Sequence, residues 1–129
     1  MTRNINLIAF LILGLTSCDP VHSIKLDNQT SEPVVVIYRP LIYNAPIGRN
    51  SESFAANGVT YAKTVLDSGQ MMPIGHVVAR YTPRPEDVEV DFLEVCIGND
   101  TMKLIGKKSI YSAIQKVHML DWRLIIKDE

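Results

Sequence analysis

Apolar positions fall into two regimes along the chain. From Ile5 to Leu15 they run almost unbroken, with Arg3 ahead and no acidic residue before Asp19. From Val21 onward they alternate with polar ones at a period near two. They lie in β-branched and aromatic runs separated by Gly, Pro, Asn, Asp and Ser, which is the pattern of half-buried strands. The first run is His22 to Leu26. Asp27 to Glu32 is a polar connection, and Pro33 to Tyr38 is the second run, with proline where a strand tolerates it; so short a connection predicts a hairpin. Arg39 to Gly58 carries enough Pro, Gly, Asn and Ser to read mostly as loop. Val59 to Leu66 and Met72 to Tyr81 are further strands, the latter with Val77, Ala79 and Tyr81 on one face.

Pro83 to Glu86 breaks the chain before Val88, Val90 and Phe92, which share a parity that Leu93, Val95 and Ile97 do not. The slip predicts a β-bulge or a strand buried on both faces. Gly98-Asn99-Asp100 is a turn into Thr101 to Ile105. The period then changes: Ile110, Ala113 or Ile114, and Val117 share a helical face, predicting one short helix over 110–118 with Ser109 as N-cap. Alternation returns in Leu120, Trp122, Leu124 and Ile126, a closing strand whose tryptophan is expected to anchor the core. The fold class is all-β, a small antiparallel β-sandwich with one short helix near the C-terminus.

The chain has 129 residues, 13 Lys plus Arg against 14 Asp plus Glu, and is 47% hydrophobic, which is ordinary for one globular domain and excludes disorder and collagen. Nucleic acid is not an expected partner, because phosphate neutralisation needs clustered cations and only Lys107 and Lys108 adjoin.

The basic start and apolar run have the layout of a signal peptide. About 11 apolar residues at 1.5 Å each fall short of the ~30 Å of hydrocarbon a spanning helix must cross. The run ends in Leu15-Thr16-Ser17-Cys18. This resembles the lipobox of bacterial lipoproteins, an aliphatic residue and two small ones before a cysteine whose thiol takes a diacylglyceryl group. The resemblance implies that residues 1–17 are removed, that Cys18 becomes the acylated first residue and sole membrane attachment, that 18–23 form the lipidated tether and that 24–129 form the domain. Cys96 is then the remaining thiol and cannot make an internal disulfide; it is expected to be a small core hydrophobe.

Three further features extend the likeness: the Asn- and Thr-containing turn before a Val- and Ile-rich strand, the Asp100-Thr101 turn, and the short helix followed by a strand with Trp122. Together with the lipobox they resemble small lipoproteins of Bacteroidota bacteria. The resemblance implies a membrane-attached β-sandwich in the cell envelope, at the cell membrane or outer membrane, and transfers no catalytic residue; residues 39–64 fall outside it.

Glu86, Asp87, Glu89, Asp91 and Glu94 suggest an oxygen-rich cation site, but alternate strand residues stand about 6.6 Å apart, too far to share one ion unaided. They read instead as a solvated strand face, and no metal or cofactor is expected. His22, His76 and His118 stand in no ligand or triad motif, and Cys96 has no nucleophile signature around it. Asn28-Gln29-Thr30 and Asn99-Asp100-Thr101 fit the glycosylation pattern formally but read as turns. Tyr38, Tyr43, Tyr61 and Tyr81 are candidates for a binding face, and the loop 39–64 is the expected place for a ligand or an envelope protein partner. Two functions follow: a non-catalytic binding or structural lipoprotein of the envelope, or an envelope hydrolase with a site assembled from distant residues.

Overall fold

The computed structural model describes residues 21–40 and 51–129. Within them the chain forms nine strands: β1 Val21–Asn28, β2 Val34–Pro40, β3 Glu52–Ala56, β4 Val59–Leu66, β5 Met71–Val78, β6 Val90–Ile97, β7 Asp100–Ile105, β8 Gln115–His118 and β9 Asp121–Ile126. A 3-10 helix spans Pro85–Asp87 and one α-helix, α1, spans Lys107–Ser112. The strands make a four-stranded sheet, β5-β1-β9-β8, and a five-stranded sheet, β3-β4-β2-β6-β7. Every pairing is antiparallel except that of β1 with β9. The all-β sandwich expected from the alternation is the fold observed.

One core lies between the sheets. Ile24, Leu26, Met72, Ile74, Val77, Leu124 and Ile126 fill it from one side, and Val34, Val36, Tyr38, Ala62, Leu66, Leu93 and Val95 from the other. Ile110 of α1 is fully buried and adds to this cluster. At roughly 25 cal/mol per Å² of apolar surface removed from water, side chains of this size are the main source of stability.

The slip in parity along β6 is a bulge. Arg39 pairs with Phe92 and Pro40 with Val90, leaving Asp91 as the extra residue. Val90 and Leu93 can thereby both face inward, at 0% exposure, although they differ in parity. A second irregularity lies in β5, where Ile24 pairs with Gly75 and Lys25 with Pro73. Pro73 lies beside this irregularity on an edge strand, where proline is tolerated.

Several expectations are corrected. β1 and β2 are not a hairpin, for β1 lies between β5 and β9 while β2 lies between β4 and β6 in the other sheet. Val21 to Ser23, expected within the tether, are already paired with Val78 to His76. Part of the stretch 39–64 is a regular hairpin: β3 and β4 pair from Glu52↔Lys63 to Ala56↔Val59. Asn57 and Gly58 close it at φ 51° and 76°, the left-handed pair that a type I′ turn requires. β5 ends at Val78, so Ala79 and Tyr81 do not share the face of Val77; Ala79 has φ 54° and turns the chain out of the sheet. The helix starts earlier and is shorter than the periodicity implies. Gly106 is its N-cap at φ 87°, Ser109 lies inside it, and Gln115–His118 is strand rather than helix.

The end of the sandwich holding the β1–β2 and β4–β5 connections is sealed by a buried polar network. Asn28, the last residue of β1, is fully buried, and its Nδ2 donates to the carbonyls of Glu32 and Leu66, each at 2.9 Å. Its Oδ1 accepts from the Thr30 backbone N–H at 3.0 Å and the Thr30 hydroxyl at 2.6 Å. Ser68 Oγ donates to the Thr30 carbonyl, and the Gln29 amide to the Ile126 carbonyl at 2.8 Å. A buried amide bonded on both ends ties these two connections together, which is why polar groups are tolerated there.

Candidate functional site

The opposite end of the four-stranded sheet is where β1 begins. Val21 pairs with Val78, and Ile24 with Trp122. Beyond Val78 the chain leaves the sheet, and residues 79–84 line an open groove of about 410 Å³. Side-chain hydrogen bonds hold this segment: Arg80 Nη2 donates to Asp87, the Arg84 amide to Asp87 Oδ2 at 2.7 Å, Trp122 Nε1 to the Tyr81 carbonyl at 3.2 Å, and the Tyr111 hydroxyl to the Pro83 carbonyl at 3.2 Å. The Tyr81 side chain is left 73% exposed, and Met119, in the turn between β8 and β9, 76% exposed. Trp122 is half-buried rather than a deep core anchor; its ring lies 6.0 Å from Lys116 Nζ, within cation–π range.

Four of the five acids that suggested a cation site are taken by a base, and Glu86 is exposed. Arg39 binds Asp91 through two nitrogens, Arg80 binds Asp87, Lys103 Nζ lies 3.1 Å from Glu94, and His76 Nδ1 lies 3.0 Å from Glu89. The Asp91 hydrogen bond holds the Arg39 guanidinium pKa above its ordinary value. Among the described residues no three His, Cys, Asp or Glu side chains converge as a metal would require. A further ion-paired group was missed in the sequence. Arg123 lies 3.0 Å from the buried Asp27 and also grips Asp121 through two nitrogens, which holds the Asp121 carboxyl below its usual range against the opposing effect of burial. Its signal was only the recurrence of charges on β1 and β9.

The candidate catalytic residues do not assemble. His76 meets a carboxylate, but among the described residues no serine hydroxyl or cysteine thiol is hydrogen-bonded to it. His118 is exposed at the end of β8, and His22 has a buried Nε2 without a hydrogen-bond partner among the described residues. Cys96 is not a core hydrophobe. It is half-buried on the outer side of β6, its Sγ 4.0 Å from Glu94 Oε1 and 3.9 Å from Thr101 Oγ1, because the bulge at Asp91 sends Leu93 and Val95 inward instead.

The tyrosines separate. Tyr38 is fully buried with its hydroxyl 3.0 Å from Ser51 Oγ, while Tyr61 stands on the outer face of the five-stranded sheet. There it stacks on Phe54 at 5.7 Å and meets Phe92 edge-on at 5.3 Å, with Lys103 Nζ 5.9 Å from the Phe92 ring. This row across three strands follows from the β3–β4 register, which Asn57-Gly58 sets. Cys18 and Tyr43 lie outside the described residues. Comparison with models of known families finds no match, and neither do comparisons with curated proteins and with solved structures. The described surface thus combines satisfied ion pairs, one aromatic row and an apolar end.

Proposed function

We propose that the protein is a membrane-anchored lipoprotein of the bacterial cell envelope with a non-catalytic binding or structural role. The observation that carries this reading is the position of Leu15-Thr16-Ser17-Cys18, directly after an apolar run and just ahead of Val21, where a strand integral to the sandwich begins. Acylated Cys18 then links the bilayer to a folded domain through Asp19 and Pro20 alone. Each buried CH₂ of an acyl chain contributes about 0.8 kcal/mol, so two or three chains hold the domain almost permanently where one would not. The non-catalytic role is supported by the pairing of Asp87, Glu89, Asp91 and Glu94 with bases.

The experiment is Cys18→Ala with membrane fractionation and intact-mass analysis of the wild type. Wild-type protein carrying acyl mass in the membrane fraction, and substituted protein without that mass, is the expected result. A wild type free of lipid mass would end the lipoprotein reading. The hydrolase reading is tested by His76→Ala: loss of a hydrolytic activity found in the wild type would favour it.

A further inference from the structure

We infer that the end of the four-stranded sheet around Val21, Val78, Tyr81, Met119 and Leu120 is a bilayer-contacting surface, seated at the boundary of lipid headgroups and acyl chains. The inference rests on the anchoring of Cys18 proposed above and states how the anchored domain is oriented.

Four observations converge on it. First, the exposed large apolar side chains are unevenly placed. Val21 is 58% exposed, Val78 51%, Tyr81 73% and Met119 76%, and Leu120 is exposed beside them. Strand pairing brings them to one end: Val21 is opposite Val78, the Tyr81 carbonyl accepts from Trp122, and Met119-Leu120 is the turn that feeds Trp122. A contiguous exposed apolar patch marks an interaction surface, whereas single exposed residues such as Val65 do not.

Second, this is the end from which the chain runs toward Cys18. With two residues between Cys18 and Val21, even a fully extended link reaches only about 10 Å. An acylated Cys18 therefore holds this end, and no other, against the membrane. Third, the side-chain chemistry suits an interface. Tyr81 and Trp122 are amphipathic residues of the kind enriched at headgroup depth, and the neighbouring Arg84, Lys107 and Lys108 offer cations to anionic headgroups. Lys107 and Arg84 belong to the same end, since Lys107 Nζ donates to the Glu86 carbonyl, beside Arg84. Fourth, the far end is unsuited to lipid. It exposes Glu32, Asp67, Asp100, Asp128 and Glu129 against Lys127 around the sealed Asn28 network, so the domain turns an anionic end to water.

Trp122 is the sole tryptophan, so its fluorescence reports on this end alone. Full-length lipidated protein is reconstituted in vesicles of phosphatidylethanolamine and phosphatidylglycerol containing a lipid with a nitroxide at shallow acyl depth. Wild-type Trp122 is expected to be quenched at least twofold more strongly than in the double variant Tyr81→Ser, Met119→Asp. Val65→Asp, at an exposed position in the other half of the molecule, should match the wild type. A second measurement needs no variant: replacing neutral phosphatidylcholine vesicles by the anionic ones should slow amide hydrogen exchange in 78–84 and 117–122 and leave 28–33 unchanged.

If the wild type carries no acyl mass and does not float with vesicles, the anchoring fails and this surface with it. If the lipidated protein floats but Trp122 is quenched equally in wild type and double variant and the two ends exchange alike on both lipids, the surface is overturned while the anchor stands. Cross-linking of wild-type copies through Met119 on vesicles, without quenching, would likewise overturn it and assign the patch to a second copy of the chain.

Discussion

Gly75 of β5 lies so close to Asp87 that a side-chain carbon built on it would stand 2.3 Å from the Asp87 carbonyl oxygen. The contact exists because the segment entering β6 crosses onto the edge strand: Gly75 bridges Val88, and the Glu89 amide donates to the Ile74 carbonyl at 2.8 Å. The obstacle is backbone held from both sides, so it cannot yield as a flexible side chain would. Gly75→Ala is expected to lower stability by about 2 kcal/mol, measured as a fall in the urea midpoint at unchanged slope.

Asn28 is the most consequential polar residue of the sealed end. Asn28→Ala removes the side-chain partner of the Leu66 carbonyl and of the Thr30 amide, and leaves the Glu32 carbonyl to the Thr30 hydroxyl. Each orphaned buried group costs about 1–3 kcal/mol, and part of the site admits water, so a loss of about 3 kcal/mol is expected in urea unfolding. Asn28→Asp should also be destabilising, because a carboxylate cannot donate to two carbonyls.

The Asp121 pKa sets a pH dependence whose sign follows from its direction. Hydrogen bonds from Arg123 lower it in the folded state. The stabilisation is therefore fully present above the ordinary carboxylate value, about pH 4, and is lost as pH falls through the lowered folded value. Arg123→Met should reduce stability at neutral pH, and its deficit against the wild type should shrink below about pH 4. Denaturant unfolding at a series of pH values measures this; a deficit that is constant with pH would contradict it.

Ala79 holds a left-handed conformation at φ 54° without being glycine. A side-chain carbon there costs about 1 kcal/mol, so Ala79→Gly should raise the melting temperature by a few degrees. A lower melting temperature would show that the conformation is not strained.

Most strands were legible because their burial alternates: β4 reads half-buried, exposed, half-buried, buried, exposed, buried, exposed, buried from Val59 to Leu66. β3 was not, since all five of its residues are exposed and no periodicity survives on an edge strand. The bulge in β6 was readable from the parity change between Val90 and Leu93, one residue from where pairing places it. The helix boundary failed because Gly106, rather than Ser109, turns the chain into α1. Pairs such as Arg123 with Asp27, or Phe92 with Tyr61, depend on which strands become neighbours. A single sequence shows a strand's faces before it shows the strand's partners.

The parallel pairing of β1 with β9 has a consequence for how the chain acquires its shape. Strand β1 sits between β5 and β9, so the second strand from one edge receives its central neighbour only from the last of the described strands. Contacts that join Ile24 to Trp122 close almost the whole domain as one loop, and topologies built on such distant pairings fold slowly. Until β9 joins, β1 has only β5 beside it in this sheet, and Leu26 lacks its partner Leu124. Only with β9 in place is the four-stranded sheet complete, so its closure is the long-range step in the folding of this domain.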